Sequence, residues 1–384
     1  MKILHVIQGI QETCGVSRFV IEIARAQSEA GHTVRIVTSM TCGYPTETQD
    51  VEFREDPTET SFKPDIVHLH MVWSPYVHKM AKTCRKKGAP YVFSPHGAMA
   101  RWALRYKWWN KLPAWHLYER RDFVSAAGIH VTSEGELSDV RRFVPSHRTC
   151  IASLGVRADV IVSDSVDKRS DEFLFLGRVH PVKNLDGLLT AWKAVKGHGR
   201  LVIAGPDDIG YKAELVGKAF ALGLSVADLS EKMAYGKKTV FGGDEVGADD
   251  VERLLDGALA DVVFLGPVYS EAKSRLLRRA RCLVLPSHSE NFGLVVLEAL
   301  ASGTPVIASD GTPWASLDGD DALGRCGWCY RQSFEGLVDA LEKVAGCSAD
   351  EYVALSRNAT TLVRERYTWT ASARKLLAFY KELT

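Results

Sequence analysis

The sequence predicts an α/β protein built from two doubly wound parallel sheets. Short apolar runs alternate with helical patterns from the first residue onward, which is the pattern of consecutive βαβ units. Most runs end in a polar or glycine-bearing loop, where open parallel sheets bind ligands. At 384 residues the chain is long for one domain and suits two, each with its own core.

Residues 3–7 form the first apolar run, followed by a helical pattern over 17–30 and a second run over 33–38. Further short strands are expected at 65–70, 91–94 and 128–132, completing a first sheet. A polar stretch around 157–171 then marks a linker, so the expected domains are 1–160 and 161–367. The second series of strands falls at 173–176, 200–204, 262–265, 281–285 and 304–308. The crossover from 205 to 261 is about twice the usual length, so an insertion is expected over about 226–258, carrying Lys232, Lys237 and Lys238. Helices are expected at 333–344, 350–366 and 370–383, the last amphipathic and able to pack on either domain, so that 368–384 suits a return to the first.

Composition excludes several classes. Hydrophobic content of 46%, charged content of 25% and a net charge of +1 describe an ordinary soluble chain and give no argument for nucleic acid. Eight cysteines scattered through apolar runs suit reduced thiols in the cytoplasm, and Cys326–Cys329 lacks a second pair that would complete a zinc site. No apolar run reaches the 18 residues of a membrane span.

The chemistry concentrates in the second half. After the apolar run 281–286 comes Ser287-His288-Ser289-Glu290-Asn291-Phe292-Gly293-Leu294, with Glu298 eight residues beyond Glu290. A loop, a helix start that favours anions and two carboxylates therefore meet at the end of one strand. Gly177-Arg178-Val179-His180-Pro181-Val182-Lys183 places two cations at another such junction, a planar fork and a point charge suited to a diphosphate. The spacing is not that of a Walker loop.

These segments, with Ala204-Gly205-Pro206 and Thr304-Pro305-Val306-Ile307, resemble the retaining glycosyltransferases of family 4, whose signature is a pair of glutamates with seven residues between them. The resemblance implies a GT-B architecture, two Rossmann-like domains facing each other across a cleft. It implies that Glu298 binds ribose hydroxyls, that Glu290 meets the donor sugar, and that Arg178 and Lys183 hold the diphosphate. The amides of Asn291, Phe292, Gly293 and Leu294, with Gly177, would meet sugar and phosphate oxygens. In the first half only Gly15 matches the family's glycine-rich loop, since Cys14 replaces the usual first glycine. His96, between Pro95 and Gly97, matches the histidine expected near the reacting carbon. Glu134 and Glu136 lie at a similar loop, and Leu154 receives no role where relatives carry Asn-Gly.

The expected activity is transfer of a sugar, with retention, from a nucleotide donor to a hydroxyl of a glycan or lipid-linked glycan in polysaccharide or lipopolysaccharide assembly. UDP is favoured over GDP on family frequency, and no metal is called for. An epimerase or glycogen-synthase-like polymerase of the same fold is the alternative, and an inactive nucleotide-sugar-binding module is another. Residues 101–121 concentrate tryptophans among Arg101, Arg105, Lys107, Lys111, Arg120 and Arg121. That pattern suits an anionic membrane surface at the inner face, and equally a helix pair that buries its tryptophans and solvates its charges.

Overall fold

The computed structural model describes residues 1–384 except 12–13, 43–50, 106–107, 163–169, 196–198, 234–246 and 320–321. The chain divides into two compact units, Met1–Gly155 with Tyr367–Thr384, and Val156–Arg366. Each holds one seven-stranded sheet.

In the first unit the strands lie in the order Val51–Phe53, Thr33–Thr38, Lys2–Val6, Ile66–His70, Tyr91–Ser94, Gly128–Val131, Thr149–Ile151. All six neighbour pairs are parallel. Sequence order reverses between Lys2–Val6 and Ile66–His70, which makes that gap the topological switch point. A small parallel pair, Gly9–Gln11 with Met40–Cys42, stands beside the sheet. The five inner strands are buried almost throughout because helices cover both faces, so alternation of polar and apolar residues is lost. The C-terminal helix Trp369–Leu383 packs on the first helix, Gly15–Glu29, and its Phe379 fills the space left by Gly128, where a Cβ would stand 2.4 Å from the ring.

The second sheet runs Val226–Asp228, Val262–Gly266, Arg200–Ala204, Glu172–Leu176, Cys282–Leu285, Val306–Ser309, Gly327–Tyr330, again with parallel pairing. Its switch point lies between Glu172–Leu176 and Cys282–Leu285. Glu172 is buried at the start of the central strand and is gripped by Arg279 at 2.7 Å and 2.9 Å and by Arg200. Burial pushes its carboxyl up, but the bonds and charge of the two arginines outweigh this and hold it below the usual range.

Several elements differ from expectation. The stretch expected as an inserted surface excursion opens with Val226–Asp228, an edge strand of the sheet, then continues through helices Ser230–Met233 and Ala248–Asp256. Lys237 and Lys238 fall outside the described residues. Gly327–Tyr330 is a strand that the sequence pattern did not suggest, and it draws Cys326 and Cys329 into a wall of the second sheet. Burial raises both thiols, Cys326 to about 12 and Cys329 to about 11, so neither is a ready nucleophile.

Candidate functional site

In the second unit the loops at the switch point bring together the residues that the sequence singled out. Glu172–Leu176 runs into Gly177, whose N–H donates to Ala204 O at 3.0 Å. The next strand, Arg200–Ala204, turns through Gly205 at φ +143, and a Cβ there would stand 1.8 Å from Gly177 O. Only glycine admits that approach. Beyond it Val179 N–H donates to Pro206 O at 2.8 Å, which fixes the path of the loop that carries exposed Arg178.

The loop then forms a short turn over Pro181–Lys183, capped by His180, whose Nδ1 accepts from Val182 N–H at 3.2 Å. Val182 O in turn accepts from His288 N–H at 2.8 Å, joining this turn to the loop after Cys282–Leu285. That second loop is anchored again where Glu290 N–H donates to Gly311 O at 3.0 Å. With both backbones tied, Lys183 Nζ meets Glu290 Oε2 at 2.5 Å, the two side chains only 13% and 19% exposed. One cation and one carboxylate from opposite sides of the switch point thus form a shielded pair.

Gly293 sits at φ +80 and caps the helix Leu294–Ala301. Its space is closed by Leu285, Glu290 and Trp314, each within 3.4 Å of where a Cβ would lie. Phe292 is held from behind, its ring edge-on to Trp314 at 5.2 Å and its carbonyl accepting from Trp314 Nε1. The helix start is of the kind whose N–H groups favour an anion in α/β loops. Glu298, in the second turn of the same helix, pairs with Lys273 Nζ at 2.6 Å. Lys273, on the helix Ser270–Arg279, was not anticipated. Nothing in sequence separates it from other surface lysines.

In the first unit Gly15 begins the helix Gly15–Glu29 behind the N-cap Cys14. His96 adopts φ +50, a left-handed conformation uncommon for a residue with a Cβ, and Gly97 follows at φ +79. The turn is clamped by Glu136, whose carboxylate accepts from Gly97 N–H at 2.6 Å and from Thr132 N–H and Oγ1 at 2.7 Å. Burial raises the Glu136 carboxyl while these donors oppose the rise. Glu136 therefore acts on the His96 turn from beneath, whereas Glu134 is exposed.

His96 also opens onto a group of buried histidines, His5, His68, His70 and His130, all fully buried. Burial lowers each: His5 and His130 to about 4, His96 to about 3, His68 and His70 well below the usual value. All five are neutral near pH 7. A pattern was available in the sequence, since His68 and His70 alternate within an apolar run and so share one buried face.

Residues 101–124 form helices Arg101–Arg105, Trp108–Ala114 and Arg120–Val124 joined by a π-helix, Trp115–Glu119. Trp115 packs on Phe123 and Phe143, whereas Trp108, Trp109, Leu112 and Leu117 are exposed by 56%, 59%, 51% and 80%. Lys107 lies outside the described residues, as do the side chains of Arg101 and Trp102. No helix among the described residues is long and apolar enough to cross a membrane.

Comparison with known proteins places these observations. Residues 58–155 match the family described as "Glycosyl transferase 4-like domain" and residues 218–361 that described as "Glycosyl transferases group 1". The D-inositol 3-phosphate glycosyltransferase of Saccharomonospora viridis is 32% identical over 247 residues, covering 64% of this chain and 48% of that protein. The chain spans about half the length of the curated relatives it matches. The HepE protein of Anabaena, solved in complex with UDP, superposes with a TM-score of 0.72 at 15% identity, covering 100% of both chains. Sucrose-phosphate synthase from Thermosynechococcus elongatus gives 0.68 at 18% identity, covering 100% of this chain and 98% of that one. In chain order, then, the match to a glycosyl transferase 4-like domain precedes the match to glycosyl transferases group 1, and the two seven-stranded parallel sheets have the fold of GT-B glycosyltransferase structures.

Proposed function

We propose that the protein is a retaining glycosyltransferase that moves a sugar from a nucleotide donor, UDP-linked in preference to GDP-linked, to a hydroxyl of a glycan or lipid-linked glycan. The observation that carries this reading is the Lys183–Glu290 pair at the second switch point, with Glu298 one and a half turns into the adjoining helix. In this proposal Arg178 and Lys183 receive the diphosphate, Glu290 a sugar hydroxyl, Glu298 the ribose, and the amides of Asn291 to Leu294 the intervening oxygens. Gly177 and Gly15 let backbone approach the donor, and His96 meets the sugar near the reacting carbon.

The chemistry needs no enzymic nucleophile. The bond from the anomeric carbon to the diphosphate oxygen breaks while an acceptor hydroxyl attacks from the same face, and the departing phosphate oxygen takes the acceptor proton. Charge that develops on the diphosphate is met by Arg178 and Lys183, the term that most lowers such a barrier. Glu290 orients the sugar, and a glycosidase-like pairing of Glu290 with Glu298 is disfavoured because the adjoining cations Arg178 and Lys183 suit a nucleotide donor.

Cell-surface polysaccharide or lipopolysaccharide assembly is the setting we propose, with the exposed Trp108 and Trp109 and their basic neighbours meeting an anionic membrane. The name of the relatives adds a phosphorylated inositol to the acceptors worth assaying. The test is a panel of sugar nucleotides, read by nucleotide release and by protection against thermal unfolding. A UDP-sugar should raise the melting temperature, Glu298→Ala should abolish most of that rise, and Lys183→Ala should mainly slow transfer. If no sugar nucleotide shifts the melting temperature, the proposal fails.

A further inference from the structure

The buried histidines of the first unit are joined by two hydrogen-bond chains. One runs from Tyr380 OH to His68 Nδ1 at 2.5 Å, from His68 Nε2 to Ser94 Oγ at 2.5 Å, from Ser94 Oγ to His130 Nδ1 at 2.7 Å, and from His130 Nε2 to Ala152 O at 2.9 Å. The other runs from Gln27 Oε1 to His5 Nε2 at 2.8 Å, from His5 Nδ1 to His70 Nε2 at 2.8 Å, and from His70 Nδ1 to His96 Nε2 at 3.0 Å.

Proton positions in the first chain follow from its end. Ala152 O can only accept, so His130 Nε2 carries the hydrogen and, the ring being neutral, Nδ1 accepts from Ser94. The serine hydrogen is then spent, so its oxygen accepts from His68 Nε2–H. His68 Nδ1 is left to accept the Tyr380 hydrogen. Every proton on this chain is assigned.

The direction of the second chain is read from its glutamine end. Gln27 presents Oε1 to His5 Nε2 at 2.8 Å, and its own Nε2 has no hydrogen-bond partner among the described residues. An amide oxygen can only accept, which sets the direction of the chain at this end. With an acceptor at that end, His5 donates from Nε2 to Gln27, His70 from Nε2 to His5, and His96 from Nε2 to His70. The ring of His96 is neutral, so Nδ1 holds a lone pair, and that atom has no hydrogen bond among the described residues and is not among the buried unpartnered ones.

We propose that Gln27, His5 and His70 are positioning residues that lock His96 in the Nε2–H tautomer, so that it presents Nδ1 as an acceptor to a hydroxyl of its ligand. A reversed chain would present an N–H instead, and a hydroxyl aimed as a donor would then meet a second donor. Phe19 braces the arrangement, its ring 5.2 Å from that of His96 and stacked 5.1 Å from that of His130. The three imidazoles of His5, His68 and His70 also offer ligand atoms within 4.8 Å of one another. A cation there would have to take nitrogens that already have partners, so hydrogen bonding accounts for the cluster without it.

The role for His96 rests on the proposed function, whereas the tautomer does not. The test is a long-range proton–nitrogen correlation spectrum of protein labelled with nitrogen-15 histidine, with the His96 signals assigned by His96→Asn. The unmodified protein should show His96 with Nε2 protonated and Nδ1 bare from pH 6 to pH 8. Gln27→Leu removes the terminal acceptor and should mix the tautomers, with kcat down about tenfold at nearly constant KM for the loss of one hydrogen bond. Gln27→Glu keeps an acceptor and should restore the single tautomer. A merely structural role would lower stability in both variants and leave the tautomer alone.

A protonated Nδ1 on His96, a mixture in the unmodified protein, or one equivalent of zinc bound through His5, His68 and His70 overturns the proposal. The first spectrum requires no variant to fold. Absence of turnover with every sugar nucleotide would overturn the proposed function instead, and the tautomer would still be decided.

Discussion

At the scale of single residues, Gly293 controls how the glutamate loop meets its helix. It lies at φ +80 with Leu285 Cδ2 only 3.2 Å and Glu290 Cγ 3.3 Å from where a Cβ would be. Gly293→Ala should cost about 1–2 kcal/mol in stability, from the left-handed backbone alone, and the displaced Glu290 should weaken protection by a UDP-sugar. Denaturant unfolding with and without nucleotide measures both, and an unchanged midpoint would sink the argument. Glu290, Arg178 and Lys183 stood out in sequence because a short motif carries each near a glycine or proline that fixes its loop, and Glu298 because of its spacing from Glu290. Lys273 and Glu136 were harder to see. Lys273 reaches Glu298 only through packing between helices, and Glu136 drew attention for its loop while its contact, the His96 turn, lies 39 residues away.

At the scale of elements, legibility followed burial and length. The strands Thr33–Thr38, Tyr91–Ser94 and Arg200–Ala204 have the bounds their apolar runs suggest, because both faces are covered and most positions are buried. Val51–Phe53, Thr149–Ile151 and Val226–Asp228 escaped because three-residue edge strands carry too few side chains for any period to show. The helical segment 108–124 divides its aromatic residues in a way that sequence left open: Trp115 turns inward, and Trp108 and Trp109 stay out, edge to face at 6.4 Å. If that exposed pair meets membrane, replacing both with alanine should cut flotation with vesicles containing anionic lipid several-fold while leaving the melting temperature within a degree or two. Undiminished flotation would remove the membrane from the proposal.

At the scale of the whole molecule, two opposed sets of groups shape stability against pH. His5, His68, His70, His96 and His130 have folded values below their unfolded value, so the stability they allow is present above about pH 6.5 and lost as pH falls. Each steepens the acid limb by up to about 1.4 kcal/mol per pH unit. Glu119 has the opposite sign. Burial pushes its carboxyl up to about 8 against the bond it accepts from Trp73 N–H, so its contribution is full below about pH 4.5 and is lost as pH rises towards 8. Melting temperature should therefore peak between about pH 6 and 7, and Glu119→Gln should flatten the alkaline side while the acid side stays steep. A flat profile from pH 5 to pH 6.5 would contradict the buried neutral histidines. The division of the chain has a further consequence for its biogenesis. Val156–Arg366 is continuous, but the first unit needs Tyr367–Thr384, which supplies Phe379 beneath Gly128 and the Tyr380 hydrogen to His68. On the ribosome the unit begun first thus waits for residues made after the second unit, and a chain that stops before Phe379 leaves Gly128 without its packing ring and His68 without the Tyr380 hydrogen.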